Sequence, residues 1–271
     1  MNKIVILSCL LFSQAGFAET LKSKIHALES VGQKVLVKFD NGRVAWSPKN
    51  IDLVPGQSVT AEIDEKSDLV SVAPALELLS EVNDEKSFTV ERPVFEPTVI
   101  GGYDQAVAMF ERLDAKFRRV SECSDRAHIW SYDEFKTNGI KTEKVFIFFT
   151  ASYINRNNFK WWFHVAPLVS VSEGDAVQKR VLDYRYTDGP KTIKEWSDLL
   201  VFSKRDCKMT TKFSEYDVNP QTEDCYMMID SMYYRLPDEL SKQETAGTYR
   251  SSFDDYEVSG ARFRAFRKGN L

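Results

Sequence analysis

Cys123, His164 and Asp183 are the residues whose types and spacing could do acyl chemistry. Cys123 follows Ser121, a preferred N-cap residue, and opens a run to Tyr132 that contains no Gly or Pro, so the pattern predicts a helix with the cysteine in its first turn. The positive end of a helix dipole favours thiolate over thiol, and the thiolate is the form that attacks carbonyl carbon. The chain has 3 histidines from which to choose a base. His26 lies in the N-terminal region, and His128 sits about 140° around the same predicted helix, facing elsewhere. His164 remains, in an apolar stretch (Phe159 to Val171) that reads as a largely buried strand.

The third residue follows from strand geometry. If this stretch folds back through the polar turn Ser172-Glu173-Gly174-Asp175, residues whose numbers sum to about 349 lie opposite each other. His164 then faces Arg185, and Asp183 lies on the same face within diagonal reach. A carboxylate there would accept the proton on the far nitrogen of the imidazole and hold the tautomer that takes a thiol proton. Asp188, in Thr187-Asp188-Gly189-Pro190, is the poorer choice because turns use Asp for their own backbone. Arg126, on the face of Cys123, could hold a thiolate, although pairing with a buried carboxylate is the commoner role. Trp162 shares a face with His164 and is the candidate for lining a substrate groove. Trp161 faces the other way, and core packing is the default for either ring.

These residues fall in three ordered blocks: Cys-x-x-Arg-Ala-His from Cys123, His-Val-Ala-x-x-Val from His164 and Val-x-Asp ending at Asp183. Together they resemble the bacterial protein glutaminases, the secreted protein-glutamine deamidases, over roughly Gly101 to Asp183. The resemblance implies an α+β fold, a transglutaminase- or papain-like core in which a nucleophile helix packs on an antiparallel sheet. It also implies a catalytic triad of Cys123, His164 and Asp183, and protein or peptide substrates bearing glutamine. Four cysteines are present. The family logic leaves Cys123 free and pairs Cys207 with Cys225 in a disulfide worth roughly 3 kcal/mol in the loop-entropy model. The family is made with an inhibitory pro-region, which gives the residues ahead of the core a possible identity.

The elements that must position these residues follow in chain order. Residues 1–18 read as a secretory signal, with Lys3, an apolar run from Ile4 to Phe12, and cleavage expected after Ala18. The product would be secreted or periplasmic, with no membrane association once the signal is removed. Residues 19–96 form a small all-β module with its linker, a barrel of SH3-like size. Its strands are Lys34–Phe39, Arg43–Trp46, Val59–Ile63 and Leu69–Val72, followed by a short helix at Leu76–Glu81. The module is either a pro-region docking on the catalytic cleft or a permanent binding domain. Residues 97–271 form the catalytic part. It comprises an amphipathic helix over Tyr103–Val120, a core strand at Lys144–Phe149, a turn at Asn155–Asn158, a helix at Ile193–Phe202 with Trp196, Leu199 and Leu200 inward, and a methionine-rich core segment at Asp224–Leu236. A basic tail follows, Ala261 to Lys268, read as solvated.

Composition excludes several classes. With Lys3 gone the basic count falls from 36 to 35 against 40 acidic residues, a net charge of −5, which is wrong for a nucleic-acid binder. No metal-ligand spacing and no glycine-rich phosphate loop is present, so no cofactor is expected. Other readings of the same residues are a transglutaminase, a papain-like cysteine peptidase, or a non-catalytic secreted binding protein.

Overall fold

The computed structural model describes residues 18–49, 52–75, 95–117, 121–216, 224–233, 236–237, 239–240 and 255–269. Residues 1–17 of the expected signal segment, the helix at Leu76–Glu81 and most of the linker lie outside them.

The front module begins with a strand longer than any expected there, β1 (Glu19–Val31). A bulge between Ile25 and Ala27 bends it, so that Glu19 to Lys24 pair with β4 (Ser58–Ile63) and Ile25 to Val31 pair with β2 (Lys34–Phe39). One bulged strand thus belongs to both halves of a curled sheet. β3 (Val44–Pro48) and β5 (Leu69–Pro74) complete the order β3-β2-β1-β4-β5. A bridge from Trp46 to Asp68 draws the two edges together, with the Trp46 N–H donating to the Ser67 carbonyl at 2.7 Å. Inside lie Leu21, Ile25, Val37, Phe39, Ala45, Val59, Ala61 and Ile63. The small barrel read from the sequence is present, with β1 as its spine.

The second part is built on β7 (Glu143–Phe149), whose six residues after Glu143 are all buried. It pairs antiparallel with β8 (Phe163–Glu173) on one side and with β11 (Cys225–Ser231) on the other, while β6 (Val99–Ile100), β9 (Ala176–Val181) and β10 (Lys208–Thr210) lie further out. The hairpin of β8 and β9 has the expected register: Leu168 faces Val181 and Ser172 faces Val177. The Cys207–Cys225 disulfide is formed, with Cα atoms 4.8 Å apart, and Cys123 is free.

Helices cover the sheet. α1 (Tyr103–Arg112) is followed by a single 3₁₀ turn at Ala115–Phe117, so the helix expected to Val120 stops early. α2 (Cys123–Asn138) packs on β8 and ends at Gly139, whose φ of 68° is the left-handed cap that glycine favours. α3 (Ala151–Asn157) occupies the stretch read as a turn; the Thr150 side chain caps it by accepting from the Tyr153 N–H. α4 (Ile193–Leu200) starts on a capping box between Thr192 and Glu195. Trp196 and Leu200 point inward as expected, whereas Leu199 is 50% exposed. The tail read as solvated is instead a helix, α5 (Asp255–Gly269), packed on α2 through Ala261 and Ala265.

Candidate active site

Cys123 is the first residue of α2, one position after Glu122, which is the N-cap in place of the expected Ser121. The Ser121 hydroxyl donates to the Phe117 carbonyl at 2.6 Å and is not used as a cap. α2 is buried on nearly all sides although more than half of its buried residues are polar, and its charged side chains find partners in the protein. Asp125 receives Arg264 of α5 at 3.0 Å, Glu134 receives Arg112 of α1 at 2.9 Å, and His128 lies 3.4 Å from the Lys144 ammonium. Burial, then Lys144 and Arg264, push His128 down to about 2, which keeps this imidazole neutral.

His164 and Asp183 meet as the register implied, by a different local route. Pairing with β8 ends at Val181, after which the Leu182 N–H still donates to the Pro167 carbonyl at 2.9 Å. Asp183 then starts a turn: its carbonyl accepts the N–H groups of Tyr186 and Thr187, and its Oδ1 accepts the Arg185 N–H at 3.2 Å. The remaining oxygen, Oδ2, lies 2.7 Å from His164 Nε2 and accepts the Trp196 indole N–H at 2.8 Å. Burial opposes the Asp183 charge. The His164 ring, its hydrogen bond, the Trp196 N–H and Arg126 outweigh that penalty and hold the carboxyl below its ordinary range. Tyr186 stands edge-on to the His164 ring, 5.0 Å between centroids.

The Cys123 sulfur lies against the same strand, where the backbone N–H of Val165, the residue after His164, and that of Ser124 favour its ionisation. Even so, burial pushes the thiol from 9.0 up to about 11. Arg126 is the main force pulling it back, and Asp183 adds to the push. The helix start was expected to favour thiolate, but with Cys123 only 5% exposed the loss of hydration exceeds what a dipole supplies. Among the described residues Arg126 pairs with no carboxylate; it donates to the Ser121 carbonyl and sits close enough to influence both Cys123 and Asp183.

Trp162, the expected groove residue, is fully buried beneath the front module. Its indole N–H donates to the Phe39 carbonyl at 2.8 Å, its backbone N–H donates to the Gly42 carbonyl at 2.8 Å, and His26 stacks on its ring at 4.5 Å. Arg43 bridges to Trp161 and covers that ring at 4.9 Å. The turn between β2 and β3 therefore docks on the chain just ahead of His164, and Leu36, Val44 and Trp46 join Cys123 and Trp162 in one continuous core.

Trp196 was read only as a core residue, and nothing in its own spacing marked it as a donor to Asp183. The signal available was the Thr192-x-x-Glu195 capping box, which fixes the rotation of α4 and so the direction of the indole. No group of side chains able to hold a metal occurs among the described residues.

An α+β chain whose buried cysteine, at a helix start, packs on an antiparallel sheet carrying a hydrogen-bonded His–Asp pair has a transglutaminase-like core. Residues 103–200, which hold all three candidates, match the glutaminase family model. Two solved structures share the whole architecture: pro-protein-glutaminase (TM-score 0.56) and a mutant of it (TM-score 0.57), each 15% identical and covering 94% of both chains. No curated protein matches. The glutaminase match thus falls on the stretch whose three sequence blocks resemble the protein glutaminases, and the two structures share the fold of the chain.

Proposed function

We propose that the protein is the proenzyme of a secreted protein-glutamine deamidase. Residues 1–18 would direct export, residues 19–96 would be the pro-region with its linker, and residues 97–271 the catalytic part. The observation that carries the reading is the coincidence of the glutaminase match with the 2.7 Å pair of His164 and Asp183 on the strand against which Cys123 lies.

In the reaction, His164 Nδ1 takes the Cys123 proton, and the thiolate attacks the γ-carboxamide carbon of a glutamine in a protein substrate. The charge that forms on the carboxamide oxygen meets the backbone N–H of Cys123 at the open start of α2. The imidazolium, steadied by Asp183, gives its proton to the departing nitrogen, and ammonia leaves a γ-glutamyl thioester on Cys123. His164 then takes a proton from water, whose oxygen attacks the thioester carbon. Collapse returns the proton to sulfur and releases glutamate.

The buried, protonated thiol and the covered Trp162 support a resting state in which the front module blocks this cycle. The test is ammonia release from a glutamine-rich protein such as casein, with intact mass measured on that substrate. Amide-to-acid conversion without cleavage or crosslinking supports the deamidase. Peptide fragments would make the enzyme a peptidase, and crosslinks a transglutaminase.

A further inference from the structure

Lys38 of β2 ends inside the second part of the molecule, with a side chain only 1% exposed. Its ammonium sits 4.6 Å from the centroid of the Tyr216 ring and 5.6 Å from that of Trp162, and the two rings stack at 23°. Lys38 Nζ donates to the Tyr216 hydroxyl oxygen at 2.8 Å. That hydroxyl spends its own proton on the Phe149 carbonyl, also at 2.8 Å, so its oxygen is held as an acceptor. Phe148 and Phe213 close the surroundings at 5.2 Å from ring to ring, and Phe148 lies 5.2 Å from Tyr216.

Two π faces and a fixed acceptor oxygen make a receptor for a cation, and all of them come from the part of the chain that carries the candidate site. The module brings a counter-charge with it: Glu29 Oε2 is an ion-pair partner 2.9 Å from Lys38 Nζ. Burying a lysine is costly, and an apolar side chain of the same length would pack a plain interface at least as well. The charge is placed where the cage can receive it. The cage is also near the chemistry in the chain, since Trp162 precedes His164 by two residues, roughly 7 Å along extended chain.

We infer that this cage is a substrate subsite for a cationic side chain, occupied in the intact protein by Lys38. It rests on the deamidase reading. When the module is displaced, a lysine or arginine near the target glutamine takes the place of Lys38, so that the enzyme selects glutamines in basic surroundings.

The experiment compares three peptides identical except that the residues flanking one glutamine are lysine, norleucine or glutamate. Ammonia release is followed with the full-length chain, intact and after limited proteolysis. The lysine peptide is expected to exceed the norleucine peptide about tenfold in kcat/KM, with the glutamate peptide slowest. Tyr216→Phe keeps the ring and removes the acceptor, and should reduce the lysine preference to about threefold or less. Equal rates for the three peptides, or a preference untouched by Tyr216→Phe, would overturn the subsite while leaving the deamidase standing. No ammonia from any peptide would sink the deamidase reading and the subsite with it.

Discussion

Asp183 Oδ2 serves two donors at once, the His164 ring and the Trp196 indole, which fixes both the tautomer and the tilt of the imidazole. Removing the indole N–H by Trp196→Phe leaves the ring volume largely filled and frees the carboxylate to turn. The expected result is a loss of about tenfold in kcat with KM little changed and a displaced acid limb of the pH profile, which a packing role alone would not move. Cys123 gives a second prediction. A thiol held near 11 in the intact chain reacts slowly with iodoacetamide at neutral pH, and its alkylation rate should climb through pH 9 to 11. The linkage has the same sign: a proton held more tightly in the folded state stabilises below about pH 9, and that contribution is lost as pH rises toward 11. After limited proteolysis, alkylation should become fast near neutrality; an unchanged profile would mean that the module does not keep the thiol buried.

At the scale of elements, the pieces contributed by the sequence and those contributed by packing can be told apart. The β8–β9 hairpin was legible because a short polar turn between two β-rich runs permits few registers, and its register brings Asp183 toward His164. The end of that pairing was not legible, since Asp183 gives up ladder bonds for a turn built on its own carbonyl and Oδ1. α5 was missed because it carries Arg262 and Arg264 on a short apolar seam and looks solvated until Asp133 and Asp125 of α2 are set beside it. Arg264→Ala should therefore destabilise the fold by about 1–3 kcal/mol, measured by urea denaturation, because Asp125 is buried. The turn after β2 makes a sharper case. Gly42 has a φ of 85°, and a Cβ there would come within 3.1 Å of Phe163 and 3.3 Å of Trp161. Gly42→Ala should loosen the docked module and raise Cys123 alkylation in the full-length chain by tenfold or more, as a strain of about 1–2 kcal/mol plus the clash implies.

At the scale of the whole molecule, the front module and the second part share a core that runs from Leu36 and Trp46 to Cys123 and Trp162. Sequence periodicity gave each part separately, because alternation and helical spacing are local signals. It could not show that Trp162 of one and Lys38 of the other lie together, since that contact spans 124 positions and depends on how two finished surfaces fit. The thiol is buried in this same core, which keeps it protonated. The most direct test of the account is ammonia release from a glutamine-containing protein by the full-length chain and its proteolysed form, wild type against Cys123→Ala, with denaturation curves showing both folded. The expected result is a loss on the order of 10⁵-fold in the variant and a gain on proteolysis of the wild type. Ammonia release that persists in Cys123→Ala would contradict the assignment of Cys123 as the nucleophile.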